Sequence, residues 1–245
     1  MSDYIFGRNA VLEALESDRK VEKIYILKGD LKGSINKIIG KAKANGILIS
    51  EIDKHKLENM AEGVVHQGVC ALVSSFDYST VEEIINSAKS KNEDLFLVIL
   101  DEIEDPHNFG AIIRTCEAVG AHGIIVSKRN QAPVTSIVQK SSAGAVNHIK
   151  IAKVANIADT ILKLQKENVW VYGACGEAEK IYTDMDFKGN IAIVIGNEGK
   201  GIGQLIRKRC DFLTKLPMKG KVSSLNASNA CAILVYEALR QRDEN

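Results

Sequence analysis

The strongest constraint on the fold is an alternation, from Leu95 onward, of short β-branched apolar runs with longer amphipathic segments. Runs that are apolar on both faces are typical of strands buried in a parallel sheet, whose strands are joined by crossover helices. The sequence therefore predicts an α/β domain with a mostly parallel sheet. Its predicted strands are LFLVIL from 95, 123–126, 169–174, 191–195 and FLTKLP from 212, and its predicted helices follow Asn108, cover about 155–167 and run from about 226 to 240.

A smaller α/β unit precedes this domain. We predict strands at 21–27, 47–50 and 68–75 and helices near 33–45 and 54–61. A polar stretch follows, in which Thr80 and Glu83 fit a capping box for a short connecting helix. The predicted domains are therefore 1–76 and 94–245, joined by a linker at 77–93.

The composition, 45% hydrophobic and 26% charged over 245 residues, excludes a disordered or collagen-like chain. Apolar runs long enough to cross a bilayer and a basic-then-apolar leader are both absent, so we expect a cytoplasmic protein. The five cysteines form no CxxC pair and have no histidine at metal-ligand spacing. We expect reduced thiols and no metal, with Cys175 as a small packed residue rather than a reactive one.

Positive charge is concentrated in two stretches although the net charge is only +1. No acidic residue lies between Ser127 and Ala158, and residues 200–221 carry seven basic side chains against Asp211 alone. Either stretch could be an ordinary solvated face, but both adjoin predicted glycine-rich loops, which favours phosphate as the partner.

Ligands of parallel α/β sheets bind beyond the carboxyl ends of the strands, here the loops after Leu100, Ala174, Ile195 and Leu216. The loop GNEGKGIG at 196–203 has neither the spacing of a phosphate-binding Walker loop nor that of a dinucleotide-binding GxGxxG. By spacing alone it is a strand-to-helix turn or a ligand site, and phosphotransferases and Rossmann dehydrogenases are disfavoured.

Arg114 is the most prominent charged residue of the helix that we predict between Asn108, as the N-cap, and Gly120, as the C-terminal stop. It lies off the apolar stripe of this helix and near the strand ends. It is either a phosphate clamp or a surface arginine paired with Glu117 or Asp105. For the last helix, either Asn226 or Ser224 fits as the cap.

Three segments, taken in order, resemble the motifs of the SpoU family of RNA ribose methyltransferases. They are DPHNFGAIIRT from 105, IVIGNEGKGI from 193 and LPMKGKVSSLNASNA from 216. The start of the chain, YIFGRNAVLEAL, and VVHQGVCALV at 64–73 also resemble the small RNA-recruiting domain of a bacterial subgroup that methylates a guanosine of 23S ribosomal RNA. Leu216 stands where isoleucine is usual, and Asn197 where some relatives have alanine.

This resemblance implies a SPOUT fold with a C-terminal trefoil knot, a homodimer, and S-adenosylmethionine as the methyl donor. It implies catalytic roles for Asn108, Arg114, Glu198, Ser224 and Asn226. It also implies a cofactor site formed by Ala174, Gly196, Asn197, Gly201, Leu216, Met218 and Leu225.

The resemblance leaves two alternatives open. One is transfer RNA as the substrate of the same chemistry, and the other is a non-catalytic RNA-binding protein that assists ribosome assembly. A nucleotide-dependent oxidoreductase lacks its glycine fingerprint here.

Overall fold

The computed structural model describes residues 4–17, 20–29, 33–74 and 76–243. They form two compact units, one of residues 1–77 with 133–136 and the other of residues 78–132 with 137–245. Both are α/β units, as the apolar pattern predicts.

The first unit has a four-stranded sheet in the order β1-β4-β2-β3. Strand β4 is antiparallel to β1 and β2, and β3 is parallel to β2. Buried aliphatic residues of α1, α2, β2 and β4 form its core. Its elements are β1 (Tyr4–Phe6), α1 (Arg8–Glu16), β2 (Lys20–Leu27), α2 (Ser34–Ala44), β3 (Leu48–Ile52), α3 (Lys54–Ala61) and β4 (Val69–Ser74).

The second unit has a six-stranded sheet in the order β10-β8-β9-β5-β6-β7, and every pair of neighbouring strands is parallel. The carboxyl ends of its strands therefore lie along one edge. Its elements are α4 (Val81–Lys91), β5 (Phe96–Asp101), α5 (Pro106–Ala118), β6 (Gly123–Ser127), α6 (Ser136–Ser141), β7 (Lys150–Val154), α7 (Ile157–Lys166), β8 (Trp170–Ala174), β9 (Ile191–Gly196), α8 (Gln204–Arg209), β10 (Phe212–Thr214) and α9 (Ala227–Asp243).

Strand β7 is absent from the sequence prediction. Its two buried apolar residues, Ile151 and Ala152, lie between Lys150, which is exposed, and Lys153, which is half-buried. The strand lies at the end of the sheet, next to β6 alone among the strands of the second unit. A strand at the edge of a sheet tolerates such lysines, and they shorten the continuous apolar run by which a central strand is recognised.

Helix α4 begins with the predicted capping box. The Thr80 side chain accepts from the Glu83 amide at 3.1 Å, and the Glu83 carboxylate accepts from the Thr80 amide at 2.8 Å. The helix packs closely on the sheet, since a Cβ at Gly123 of β6 would lie 2.7 Å from side-chain atoms of Ile84. Helix α4, which the sequence predicts as a connecting helix, is therefore part of the second unit.

The prediction that Asn108 caps α5 is wrong. The cap is Asp105, whose carboxylate accepts from the amides of His107 and Asn108 at 3.1 and 3.4 Å. Pro106 occupies the first turn, where its fixed φ and missing N–H suit the start of a helix. The Asn108 side chain is thereby left for other contacts. Gly120 follows the helix at φ +70°, as predicted for its C-terminal stop.

Helix α9 packs against α5 through small and apolar residues. Cys116 of α5 and Cys231 of α9 are fully buried, and the hydrogen bond between them, together with burial, raises the pKa of the Cys116 thiol. The five cysteines all lie in the described residues and form no disulfides.

No helix of the described residues is both long and apolar enough to span a bilayer. The trefoil knot stays a prediction.

Gln241 connects the end of α9 to the segment before β9. Its Oε1 accepts from the Phe187 amide at 2.8 Å, and its Nε2 donates to the Met185 carbonyl at 3.0 Å. All three residues are buried. These bonds fix the helix whose first turn contributes to the site described below.

Replacing Gln241 by leucine should lower the free energy of unfolding by about 2 to 4 kcal/mol, because two buried backbone groups would lose their partners. Urea denaturation measures this change. Gln204→Leu, at an exposed position of α8, is the control, and we expect it to change stability by less than about 0.5 kcal/mol. Equal effects of the two substitutions would contradict the assigned role of Gln241.

Candidate active site

The candidate site lies at the carboxyl edge of the six-stranded sheet. Strands β5, β8, β9 and β10 end there, at Asp101, Ala174, Gly196 and Thr214. The following loops contain most of the residues predicted to be functional. The structure thus confirms that the predicted loops share one edge, which is where ligands of parallel α/β sheets bind.

A chain of hydrogen bonds joins the three motif segments. The Asn108 amide nitrogen donates to Oε1 of Glu198. The Asn226 amide nitrogen donates to Oδ1 of Asn108 at 2.9 Å. In turn, Oδ1 of Asn226 accepts from the Ser228 amide at 2.9 Å and from its hydroxyl at 2.6 Å. Residues separated by 90 and 118 positions in the sequence therefore form one polar network.

This network determines how each side chain is oriented. Asn226 caps α9 through its bond to Ser228, which settles the choice that the sequence left between Asn226 and Ser224. The Asn108 carboxamide must turn its nitrogen to Glu198 and its oxygen to Asn226. In the reverse orientation its oxygen would face the Glu198 carboxylate, another acceptor, and its nitrogen would face the Asn226 amide nitrogen, another donor. The Glu198 carboxylate is exposed, so it can also meet a ligand.

Arg114 is exposed on α5, off the buried stripe of Ile112, Ile113 and Cys116. Within the described residues it forms no ion pair with Glu117 or Asp105. Among the described residues it also forms no hydrogen bond with Asn108, Glu198 or Asn226. Its guanidinium therefore presents its donors to solvent, as a group that binds an incoming anion would.

The loop from Gly196 to Gly203 turns back sharply on itself. The Gly201 amide donates to the Asn197 carbonyl at 2.7 Å, and Gly201 has φ +66°. A Cβ at Gly196 would lie 2.2 Å from the Gly201 carbonyl carbon, so only glycine fits at that position. The glycines permit this turn, and the exposed backbone of Gly199 and Gly201 lies at its tip.

Asn197 shapes the loop through its side chain. Its amide nitrogen donates to the Glu102 carbonyl at 3.1 Å, and its Oδ1 accepts from the amides of Gly199 and Lys200 at 2.9 and 3.4 Å. All polar atoms of this side chain are therefore engaged within the protein.

The segment between β10 and α9 carries the remaining predicted residues. Leu216 and Leu225 are half-buried, Met218 is 37% exposed and Val222 is 70% exposed. Ser224 is exposed and has no hydrogen bond to the network among the described residues. Apolar side chains beside free backbone groups suit the adenine and ribose of an adenosyl group, so these residues fit S-adenosylmethionine.

Two acidic residues at the end of β5 belong to the site but were missed in the sequence. Asp101 is buried. Glu102 has φ +58°, and its carboxylate accepts from Asn130 at 2.8 Å while its carbonyl binds Asn197. The sequence does show two acidic residues at the end of an apolar run, and such residues can belong to a site at the carboxyl ends of the strands. Their contacts could not be predicted, because they involve loops far apart in the sequence.

Comparisons with known proteins agree with this geometry. The SpoU rRNA Methylase family matches residues 94–236, and the domain described as RNA 2′-O ribose methyltransferase substrate binding matches residues 4–79. A putative TrmH family tRNA/rRNA methyltransferase of Bacillus subtilis, YacO, is 46% identical over 241 residues, which cover 98% of this chain and 96% of the relative.

Two solved structures extend the likeness. The AdoMet-bound rRNA methyltransferase of Sinorhizobium meliloti has a TM-score of 0.60 and 25% identity, over 97% of this chain and 86% of that one. The TrmH/SpoU tRNA modifying enzyme of A. aeolicus has a TM-score of 0.57 and 27% identity, over 66% of this chain and 85% of that one. The chain therefore belongs to the SpoU family and is an RNA methyltransferase that uses S-adenosylmethionine.

Proposed function

We propose that this protein transfers a methyl group to the ribose 2′-hydroxyl of a guanosine in 23S ribosomal RNA. The observation that carries the proposal is the network of Glu198, Asn108 and Asn226, with Arg114 exposed on the same helix as Asn108. Such preorganised polar groups suit a reaction whose rate depends on how the ribose hydroxyl and the methyl donor are placed. The bound cofactor supplies a sulfonium methyl group that is already activated for transfer.

The loops at the carboxyl edge of the sheet would bind the cofactor. Backbone groups of Gly196, Asn197, Gly201, Leu216 and Leu225 would bind its polar atoms, since most of these residues have no polar side chain to offer. Ala174 and Met218 would line the apolar part of the pocket. Polar backbone groups in a shaped apolar pocket give the orientation that direct methyl transfer needs.

A ribose hydroxyl is a weak nucleophile near neutral pH, so its orientation and the loss of its proton are the chemical problem. Arg114 cannot act as a free base, because a guanidinium has a pKa above about 12. We assign it to the phosphate next to the target ribose. The proton that the hydroxyl loses on methylation would leave through that phosphate.

The remaining predicted catalytic residues hold the ribose and its neighbours. Asn108 and Asn226 fix one another and Glu198, whose exposed carboxylate faces the incoming RNA. Ser224, exposed and outside the network, can form its bonds once RNA is present. These residues lower the barrier by removing orientational freedom before the reaction.

The rest of the RNA would follow the basic stretches of the second unit. In the described structure Lys153 lies over the Tyr78 ring at 4.1 Å, and Arg207 pairs with Glu177, so these two are engaged. Exposed positions remain at Lys128, Arg129, Lys140, Lys150, Lys208, Lys219 and Lys221. We also propose a homodimer acting in the cytoplasm, where its RNA substrate is found.

Ribosomal rather than transfer RNA is favoured by the first unit. The A. aeolicus tRNA modifying enzyme covers 66% of this chain, close to the share of the second unit alone. The S. meliloti rRNA methyltransferase covers 97%. A substrate-binding domain in addition to the methyltransferase domain suits a large, folded RNA.

Methyl transfer from radiolabelled S-adenosylmethionine to unmodified 23S ribosomal RNA, and separately to bulk transfer RNA, tests the proposal. We expect label in 23S RNA, at one ribose that then resists alkaline cleavage. Label only in transfer RNA would support the proposed reaction but contradict 23S ribosomal RNA as its substrate. No label in either RNA despite tight cofactor binding would indicate a non-catalytic assembly protein.

In the same assay Arg114→Ala and Arg114→Lys should both lose at least about 100-fold in single-turnover rate, because neither presents a planar bidentate donor pair to phosphate. Cofactor affinity, measured by calorimetry, should stay unchanged. Full turnover of Arg114→Lys would refute the bidentate role.

Asn108→Ala and Asn226→Ala should each reduce the single-turnover rate by about 10- to 100-fold, and the double variant should be little slower than either single variant. The reason is that either change disrupts the same network. Asn147→Ala, at an exposed residue outside the site, is the control. Rate losses that multiply in the double variant would show that the two residues act independently.

Lys219→Gln with Lys221→Gln should weaken RNA binding and reduce the slope of log affinity against log salt by about 0.7 for each phosphate that is no longer neutralised. Fluorescence anisotropy with RNA measures both quantities. Lys163→Gln with Lys166→Gln on α7 changes the net charge equally and should leave the slope unchanged. Equal slopes for both pairs would remove the 200–221 stretch from the RNA interface.

A further inference from the structure

Asp101, the last residue of β5, places an acidic side chain in a buried position. It is only 7% exposed and lies opposite Gly196 in the register of β5 and β9. Burial raises the pKa of its carboxyl, a hydrogen bond from Gly203 partly opposes this rise, and the nearby charge of Glu102 adds to it. The fold therefore disfavours the ionised form, so this acid reduces stability at neutral pH.

The carboxylate makes one well-formed contact. Its Oδ2 accepts from the Gly203 amide at 2.7 Å. Gly203 precedes α8 and, as a glycine, offers no side-chain cap to that helix. The bond is at the short end of the range for an amide donor, so Asp101 holds this end of the loop in place.

The loop 196–203 is thereby fixed at both ends. At its start, Gly196 pairs with Asp101 and Asn197 bonds to Gly201. At its end, Gly203 bonds to Asp101. Glu198 lies between these anchors and reaches Asn108 across the site. A displacement of Gly203 would move Gly201, which touches Gly196, and would carry Glu198 out of place.

We propose that Asp101 is a positioning residue for the methyl transfer, an inference that rests on the function proposed above. Its carboxylate keeps the loop in the shape that presents backbone groups to the cofactor and holds Glu198 on Asn108. It acts through Gly203 and takes no part in bond making. The stability lost by burying an acid is offset by a site that is ordered before its ligands bind.

Asp101→Asn and Asp101→Leu test this role, because both keep the branching of aspartate at Cγ and only asparagine retains an acceptor. We expect Asp101→Asn to stay within about fivefold of wild type in single-turnover rate and in S-adenosylmethionine affinity. We expect Asp101→Leu to lose about 10- to 100-fold in both. The melting temperatures of both variants should equal or exceed that of wild type, since each removes a buried charge.

Asp184→Leu, at an exposed aspartate of the same unit, is the control and should match wild type in every measurement. Wild-type rate and affinity in Asp101→Leu would overturn the proposal. So would activity losses that follow equal drops in melting temperature in both Asp101 variants, since they would indicate a merely structural role. If the wild type showed no methyl transfer, the proposed function would be refuted but the role of Asp101 would not. The S-adenosylmethionine affinities of the Asp101 variants would still show whether Asp101 shapes the loop.

Discussion

The candidate site depends on one side chain, the carboxamide of Asn108, which donates to Glu198 and accepts from Asn226. A carboxamide can do both at once in a single orientation, so it sets the positions of two partners from distant segments. The fold serves this arrangement. The parallel sheet brings the ends of β5 and β9 together, and the packing of α9 on α5 delivers Asn226.

Much of the fold can be predicted from the sequence because its strands are buried on both faces. Strand β5 is buried along its whole length, and its apolar run is unambiguous. The boundary of α5 was harder to predict, since Asp105 and Asn108 are both good N-caps. Pro106 favours Asp105, because proline is over-represented at the first position of a helix. The sequence contained this information, and the prediction gave it too little weight.

The site itself could be predicted only as a set of residues. Family motifs name Asn108, Glu198 and Asn226, but contacts across 90 and 118 positions leave no trace in local pattern. The left-handed backbone of Glu102 is equally invisible, since glutamate rarely adopts it. Asn197 shows the opposite difficulty. It stands in a segment that resembles a family motif, yet its side chain bonds to Glu102 and to its own loop.

The distance along the chain between Asn108 and Asn226 also has a consequence for biosynthesis. A nascent chain that has passed β9 already contains Asn108 and Glu198 but cannot close the network until α9 has begun to form. At translation rates of roughly 5 to 20 residues per second, the 118 intervening positions take roughly 6 to 24 seconds to synthesise. Strands β6 to β10 are synthesised within that interval, before α9 can complete the site. A truncated or still-growing chain would therefore lack the assembled site, even where its strands are already native.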